Sequence, residues 1–488
     1  MSSRLKSASD TPPASLVWFR QDLRLEDNPA LDAAVKRGGP VVCVYIWAPQ
    51  EEGDWPPGAA ARWWLHQSLR SLDAQLQSRG SRLILAQGAS LVVLTKLCGA
   101  LRAGFVCWNR RYEPAAIARD TRIKAALIAS GVEAASFNGA LLFEPMEIQN
   151  NDGRPYKVFT QFWRKCLARA EPSKPLRAPA KLAAPAQWPV SAALDEFKLE
   201  PRIHWTATME KEWEPGTRGA AGQLKRFSKI LAGYPDDRNR PGVVGTSRLS
   251  SHLHFGEISP RQVWHGLSSL RQRDIDGQAA GEETYLREIG WREFAHHLLY
   301  HFPNTPTEPL RDEFARFPWK KNAAALKAWQ RGRTGFPLVD AGMRELWATG
   351  WMHNRVRMIV ASFLVKDLLI AWQAGARWFW DTLVDADLAN NTLGWQWVAG
   401  CGADAAPFFR IFNPTTQSAK FDGAGGYIRR WVPELAKLPD DLIHEPHAAP
   451  PLALLEAGVM LGKTYPRPLV DHAQARETAL SAFQSLRR

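Results

Sequence analysis

The stretch Leu16 to Leu31, LVWFRQDLRLEDNPAL, opens on a short apolar run, Leu16 to Phe19, that reads as a strand. Similar runs recur at Val41 to Trp47, Arg82 to Gln87, Phe105 to Asn109 and Val132 to Phe137. Between them, Ala59 to Arg79, Ala89 to Ala103 and Pro114 to Ser130 read as helices. Strands alternating with helices of this length predict an α/β domain on a doubly wound parallel sheet, over residues 15–140. No GxGxxG follows the first strand, so a dinucleotide site of the usual kind is not expected in this half.

Pro172, Pro175, Pro179, Pro185 and Pro189 punctuate the next stretch, which can hold neither a regular helix nor a central strand and reads as a connector over residues 141–211. From about Glu212 the strand signals fade. Val356, Ile359, Val360, Phe363 and Leu364 keep the i, i+3, i+4, i+7, i+8 rhythm of a buried helix face, and residues 212–488 are expected to form an all-helical domain.

A chain of 488 residues exceeds one ordinary core, and 45% hydrophobic with 23% charged residues describes a soluble globular protein. The formal charge of +13 favours a polyanionic partner, because Lys and Arg over phosphates gain affinity by counterion release. The five cysteines, Cys43, Cys98, Cys107, Cys166 and Cys401, show no CxxC or Cys/His metal spacing, which points to a reducing compartment and no structural metal. Met1 to Ala14 lacks an apolar signal core and no long apolar run follows, so a cytoplasmic location and no membrane span are expected. Most of the 22 tryptophans must be ordinary core, since an indole buries much area.

Four segments carry chemistry. In Asp385 to Pro414, DADLANNTLGWQWVAGCGADAAPFFRIFNP, the polar groups of Asp385, Asp387 and Asn391 can address one polar ring system, and Trp395 and Trp397 flank it with oxidisable indoles, a pattern suited to a redox cofactor. GTSRLS, Gly245 to Ser250, offers hydroxyls and free N–H groups at a helix start, a seat for pyrophosphate with Arg248 nearby, although a plain capped helix reads the same way. WREF, Trp291 to Phe294, with Glu288 a turn earlier, places a carboxylate and an indole on one helix face. Asn354, Arg355, Arg357 and Met358 begin an apolar helix and suit phosphate or flavin recognition or, equally, a solvated basic turn.

Taken together, LVWFRQDLRLEDNPAL, GTSRLS, WREF, GWMHNRVRM, DADLANNTLGWQW and RIFNP closely resemble the photolyase and cryptochrome family, in the same order and across nearly the whole chain. The resemblance implies an N-terminal α/β antenna domain and a C-terminal helical domain holding FAD in a U-shaped conformation. The flavin contacts it implies are Tyr234, Thr246, Ser247, Leu249, Ser250, Asn354, Arg357, Asp385, Asp387 and Asn391, joined by Arg248 of the phosphate seat. Asp387 would accept from a ring N–H, Arg357 held by Asp385 would offset negative charge, and the neutral amide of Asn391 would face flavin N5. Trp395, Trp372 and Trp319 would form an electron-transfer chain to the surface, with Trp319, set in RFPWKK, at the exposed end.

Within the family the Met358 and Asn354 pattern of GWMHNRVRM resembles cyclobutane pyrimidine dimer photolyases, whereas (6-4) photolyases carry a His-rich version; the amide at Asn391 resembles photolyases rather than cryptochromes. The expected activity is light-driven dimer repair in DNA by a bacterial-type enzyme of class I or class III, acting as a monomer, with a cryptochrome photoreceptor or a (6-4) photolyase as the alternatives. A flipped dimer would be held by Glu288, Trp291, Trp397 and Met358, with Asn354 beside it, and Arg238, Arg355 and Arg410 would contact the flanking phosphates. Trp47 to Leu69 resembles class III enzymes and plant cryptochromes, which implies methenyltetrahydrofolate as antenna near Trp47, Glu51, Arg62 and Trp63; the two adjacent indoles Trp63 and Trp64 would equally serve to pack their helix on the sheet. ANNTLGWQW and Cys401 depart from the best-known bacterial pattern, which bears on redox potential more than on fold.

Overall fold

The computed structural model describes residues 12–271, 278–405 and 409–486. Most of the polar leader therefore lies outside the described residues. Five strands, β1 (Ser15–Phe19), β2 (Val41–Trp47), β3 (Leu83–Gln87), β4 (Phe105–Asn109) and β5 (Glu133–Phe137), form one sheet in the order β3-β2-β1-β4-β5, every pair parallel. β1, β2 and β4 are buried almost throughout because helices cover both faces, which is why their sequences run apolar without alternation. The crossovers are α1 (Pro29–Arg37), α2 (Ala59–Gln77), α3 (Ser90–Leu101) and α4 (Pro114–Ala129). The sequence reading passed over α1, whose start is set by Asn28 accepting from Leu31 N and by Pro29 at its first position.

From Thr217 on, the described residues hold helices and one isolated bridge, Leu461 to Tyr465. No described helix is long and apolar enough to cross a membrane. The periodic face is buried as expected: Val356, Ile359, Val360, Phe363 and Leu364 are each at most 1% exposed. The connector differs in holding helices, Phe159–Leu167 and most of Ala207–Glu212. Its Phe159–Leu167 stretch is a helix whose Phe159 stacks on Trp291, with ring centroids 3.8 Å apart, so this part of the connector packs into the helical half.

Two loops lock the halves together. The segment after β1 reaches the chain beyond GTSRLS: Arg24, buried, donates to Gly256 O at 2.8 Å, to Asp27 O at 2.7 Å and to Gly139 O at 2.6 Å. Gly256 has φ +64°, and a Cβ there would lie 2.2 Å from Gln21 O, so both the turn and the close approach require glycine. Across the same seam Trp64 Nε1 donates to Glu257 at 3.0 Å. This docking ties the chain just beyond GTSRLS to the sheet lobe.

Candidate functional site

Three helix starts converge on one cavity of about 710 Å³, within the size range of sites that enclose a large ligand. The Leu388–Ala399 helix is capped by Asp387, whose Oδ1 accepts from Asn390 N at 2.8 Å and Asn390 Nδ2 at 2.6 Å. Asp387, Asn391 and Trp395 recur at four-residue intervals and so share one face of that helix. Asn391 Nδ2 donates to Ala376 O at 3.0 Å, which fixes the amide plane and leaves its oxygen to other partners. Trp395 is 2% exposed and lies against Gly375; a Cβ at Gly375 would meet its ring at 2.0 Å.

The Asn354–Ser362 helix is capped by His353, whose Nδ1 accepts from Arg355 N at 3.2 Å. Arg357 turns back from its first turn, with Nε donating to Met352 O at 2.8 Å and a terminal nitrogen to Asp385 at 2.8 Å. Burial, with Arg355 and Arg357 close by, lowers the His353 pKa to about 4, so this cap is an uncharged imidazole. Beneath it, Glu345 accepts from Tyr427 Oη at 2.6 Å and from His353 N at 3.2 Å, and burial raises its pKa to about 7.

The Gln278–His301 helix supplies the opposite wall: Tyr285, Glu288, Trp291 and Arg292. Tyr285 Oη donates to Ser247 Oγ at 2.8 Å, tying GTSRLS to this helix. Glu288 pairs with Arg238 at 2.7 Å. On the far side of the mouth the exposed Arg410 stands over Trp397, 5.2 Å from the ring centroid.

The cavity lining includes every expected flavin contact, Tyr234, Thr246, Ser247, Arg248, Leu249, Ser250, Asn354, Arg357, Asp385, Asp387 and Asn391. It also includes every expected DNA contact, Arg238, Glu288, Trp291, Asn354, Arg355, Met358, Trp397 and Arg410. Arg248 takes φ +52° and its guanidinium pairs with Glu212 at 3.1 Å above Trp213. Six arginines and four carboxylates line the space, an excess of positive charge that suits an anionic ligand.

Of the expected electron chain only Trp395 lines the cavity. Trp372 is buried in the same core cluster and Trp319 is half-buried, packed on Phe317 at 4.3 Å. The rings paired with Trp395 are Phe379 at 5.0 Å and Trp329 at 6.2 Å. The four antenna candidates line neither this cavity nor the small hole between the lobes. Glu51 receives Ser90 N at 3.0 Å and Ser90 Oγ at 2.5 Å, a cap for α3, and Trp63 is 2% exposed in the core under α2. Trp47 stacks on Phe197, centroids 6.3 Å apart, and Arg62 is half-buried.

Residues the sequence reading missed are His254, His296 and Arg292. His296 Nε2 is 3.4 Å and His254 Nδ1 3.9 Å from Asp387 Oδ2. Burial would raise the Asp387 pKa, but the charge of His296 and the polar contacts of both imidazoles hold it well below the usual carboxylate range. Both histidines flank quoted motifs, yet nothing local signals their approach to a carboxylate far along the chain.

The fold and site define a protein with a parallel-sheet lobe joined to a helical lobe, whose helical cavity presents paired charges and amides to a planar polar ligand. Asp385 Oδ1 and Trp395 Nε1 are buried atoms of lining residues without a hydrogen-bond partner among the described residues, the condition a ring system with its own donors and acceptors would satisfy. The chain matches the family model described as DNA photolyase over residues 15–181 and that described as the FAD binding domain of DNA photolyase over residues 285–485. It is 50% identical to a deoxyribodipyrimidine photo-lyase of Agrobacterium fabrum over 97% of this chain and 98% of that protein. It is 44% identical to Cryptochrome-1 of Arabidopsis thaliana over 97% of this chain and 71% of that protein. A bacterial class III photolyase from Agrobacterium tumefaciens superposes with a TM-score of 0.95 at 49% identity, covering 99% of this chain and all of that one (100%). The chain belongs to the photolyase/cryptochrome family, and its helical half is an FAD-binding domain.

Proposed function

We propose that the protein is a deoxyribodipyrimidine photo-lyase that splits cyclobutane pyrimidine dimers in DNA under light. The observation that carries this reading is one cavity with two differently equipped parts: Asp385, Asp387, Arg357 and Asn391 in its wall, and Glu288, Trp291, Met358 and Trp397 toward its mouth. When bound, FAD supplies light absorption and one-electron chemistry.

The chain's own residues bind, orient and stabilise. The Arg357–Asp385 pair and Asp387 hold the ring edge, and Asn391 presents a neutral amide that serves either redox state. Trp291 and Trp397 offer faces on which flipped bases stack, and a dimer that already stacks poorly is cheaper to extrude. Glu288 hydrogen-bonds the dimer's carbonyls and steadies the charge that reaches them, with Met358 lining the pocket. Arg238, Arg355 and Arg410 take the flanking phosphates. Trp395, Trp372 and Trp319 carry electrons inward when oxidised flavin is photoreduced.

Repair of (6-4) lesions is disfavoured because His353, the imidazole of GWMHN, is occupied as a helix cap and uncharged, a poor proton donor. The antenna is read as methenyltetrahydrofolate from the resemblance of Trp47 to Leu69 to class III enzymes, and the protein as a cytoplasmic monomer. The deciding experiment illuminates the reduced protein with dimer-containing and, separately, (6-4)-containing DNA and analyses the products. Loss of dimers alone is expected; loss of neither lesion would replace this reading by a photoreceptor.

A further inference from the structure

His296 makes two contacts whose chemistry fixes its protons. Nδ1 lies 2.9 Å from Arg292 O, a backbone carbonyl that can only accept, so Nδ1 carries a hydrogen. Nε2 lies 3.4 Å from Asp387 Oδ2, and an ionised carboxylate also only accepts. A neutral imidazole would therefore aim a lone pair at a carboxylate. The contact is favourable only with one further proton between the two groups, as imidazolium facing carboxylate.

The surroundings act in both directions: the Asp387 carboxylate favours the cation, while burial and the nearby Arg292 oppose it. A small polar hole between the lobes shares Leu253, His254, Arg292 and Asp387 with the large cavity, and His296 lines the hole. From its own helix Arg292 and Glu293 flank His296. His254 approaches from the Ser250–His254 helix, with Gln21 Nε2 at 3.5 Å from its Nε2. From the loop after β4, Tyr112 meets the ring edge-on at 6.3 Å, with Arg110, Arg111 and Glu113 across the hole, and Asp22 faces it from the loop after β1.

Resting on the flavin reading above, we propose that His296 is a positioning residue: as imidazolium it neutralises and orients Asp387, so that the negative charge of reduced flavin is accommodated beside this carboxylate. The Arg357–Asp385 and His296–Asp387 pairs then form two neutral units at the ring edge, but only the second can lose its cation. Burial works against the imidazolium, while the charge of Asp387 raises its pKa on balance. The cation is present at low pH and lost as pH rises through that raised value, so reduced flavin becomes harder to form at high pH beyond the flavin's own proton uptake.

The test is the midpoint potential of flavin in the purified holoprotein, measured by spectroelectrochemistry from about pH 6 to about pH 9. His296→Gln keeps a neutral donor to Asp387 and should reduce the ratio of reduced to oxidised flavin at fixed potential by roughly tenfold at the acid end, as expected for removing a unit charge several ångströms away. The two curves should converge at the alkaline end. Curves that coincide across the range overturn the inference while leaving the flavin reading intact. A wild-type protein that retains no flavin overturns both. Should the variant shed its flavin, the wild-type curve decides alone: a slope set only by flavin protonation overturns the proposal, and an added inflection supports it.

Discussion

Arg238 and Glu288, both in the lining of the cavity, form an ion pair at 2.7 Å, each about one quarter exposed. The pair constrains how the site can engage DNA. A carboxylate cannot donate to a pyrimidine carbonyl, so a hydrogen bond from Glu288 to the dimer needs an N–H or O–H at that position. Glu288→Gln, which retains an N–H donor, should keep most of the dimer repair rate, whereas Glu288→Ala should lower it about tenfold. Arg238→Ala should weaken DNA binding and lower the salt slope of log K by about one. Single-turnover repair assays and binding titrations at several salt concentrations check both, and a Gln variant as impaired as Ala would refute the donor role.

Arg357 and Asp385 are a shielded pair whose carboxylate side chain is only 3% exposed. Arg357→Ala leaves that carboxylate buried without its cation, a loss on the order of 2–5 kcal/mol. The variant should purify with little flavin, read from absorbance after gel filtration. Full flavin occupancy would mean that the pair is structural only.

Asn391 is held by its amide to Ala376 O at 3.0 Å. Asn391→Asp replaces a donor by an anion, repels that carbonyl and changes the charge beside the ring. The absorption spectrum of the photoreduced flavin should change, and an identical spectrum would remove Asn391 from the flavin's reactive edge.

Trp372→Phe should slow photoreduction of oxidised flavin by at least about tenfold, because phenylalanine is much harder to oxidise than indole; each tenfold corresponds to about 1.4 kcal/mol in the barrier. Transient absorption measures the rate. An unchanged rate would redirect attention to Trp329, whose ring is 6.2 Å from that of Trp395.

Glu345 supplies a pH prediction for stability. Its pKa is raised from 4.5 to about 7 by burial, so between those values the folded protein binds more protons than the unfolded chain. Stability therefore falls as pH rises through this window, by up to about 3 kcal/mol, and levels off above it. Glu345→Gln, which can still accept from Tyr427, should flatten the decline. Denaturant melts of both proteins at about pH 5 and about pH 8 check this, and parallel losses in the two would contradict it.

Much of this was legible in the chain itself. Strand β2 was read to its ends, Val41 and Trp47, and β1 to within one residue, because the unbroken apolar runs of a two-faced parallel sheet are local signals. Many of the lining residues were legible because GTSRLS, GWMHNRVRM and DADLANNTLGWQW each span a helix start whose side chains line the cavity, and WREF lies on a helix that lines it. What escaped was non-local: His254 and His296 reach Asp387 from helices far away along the chain, an approach that no short stretch signals.

The sequence by itself determined the layered sheet, the helical second half and the inventory of charged, amide and indole groups, because periods of two to four residues are written between near neighbours. Only the tertiary structure decided which groups meet: Arg24 with Gly256 across the seam, Glu288 with Arg238 in the cavity lining, and His296 with Asp387 at the ring edge. Those encounters depend on how whole helices pack, and their energies come from burial and from paired charge in a low dielectric, neither of which any short stretch of the chain encodes.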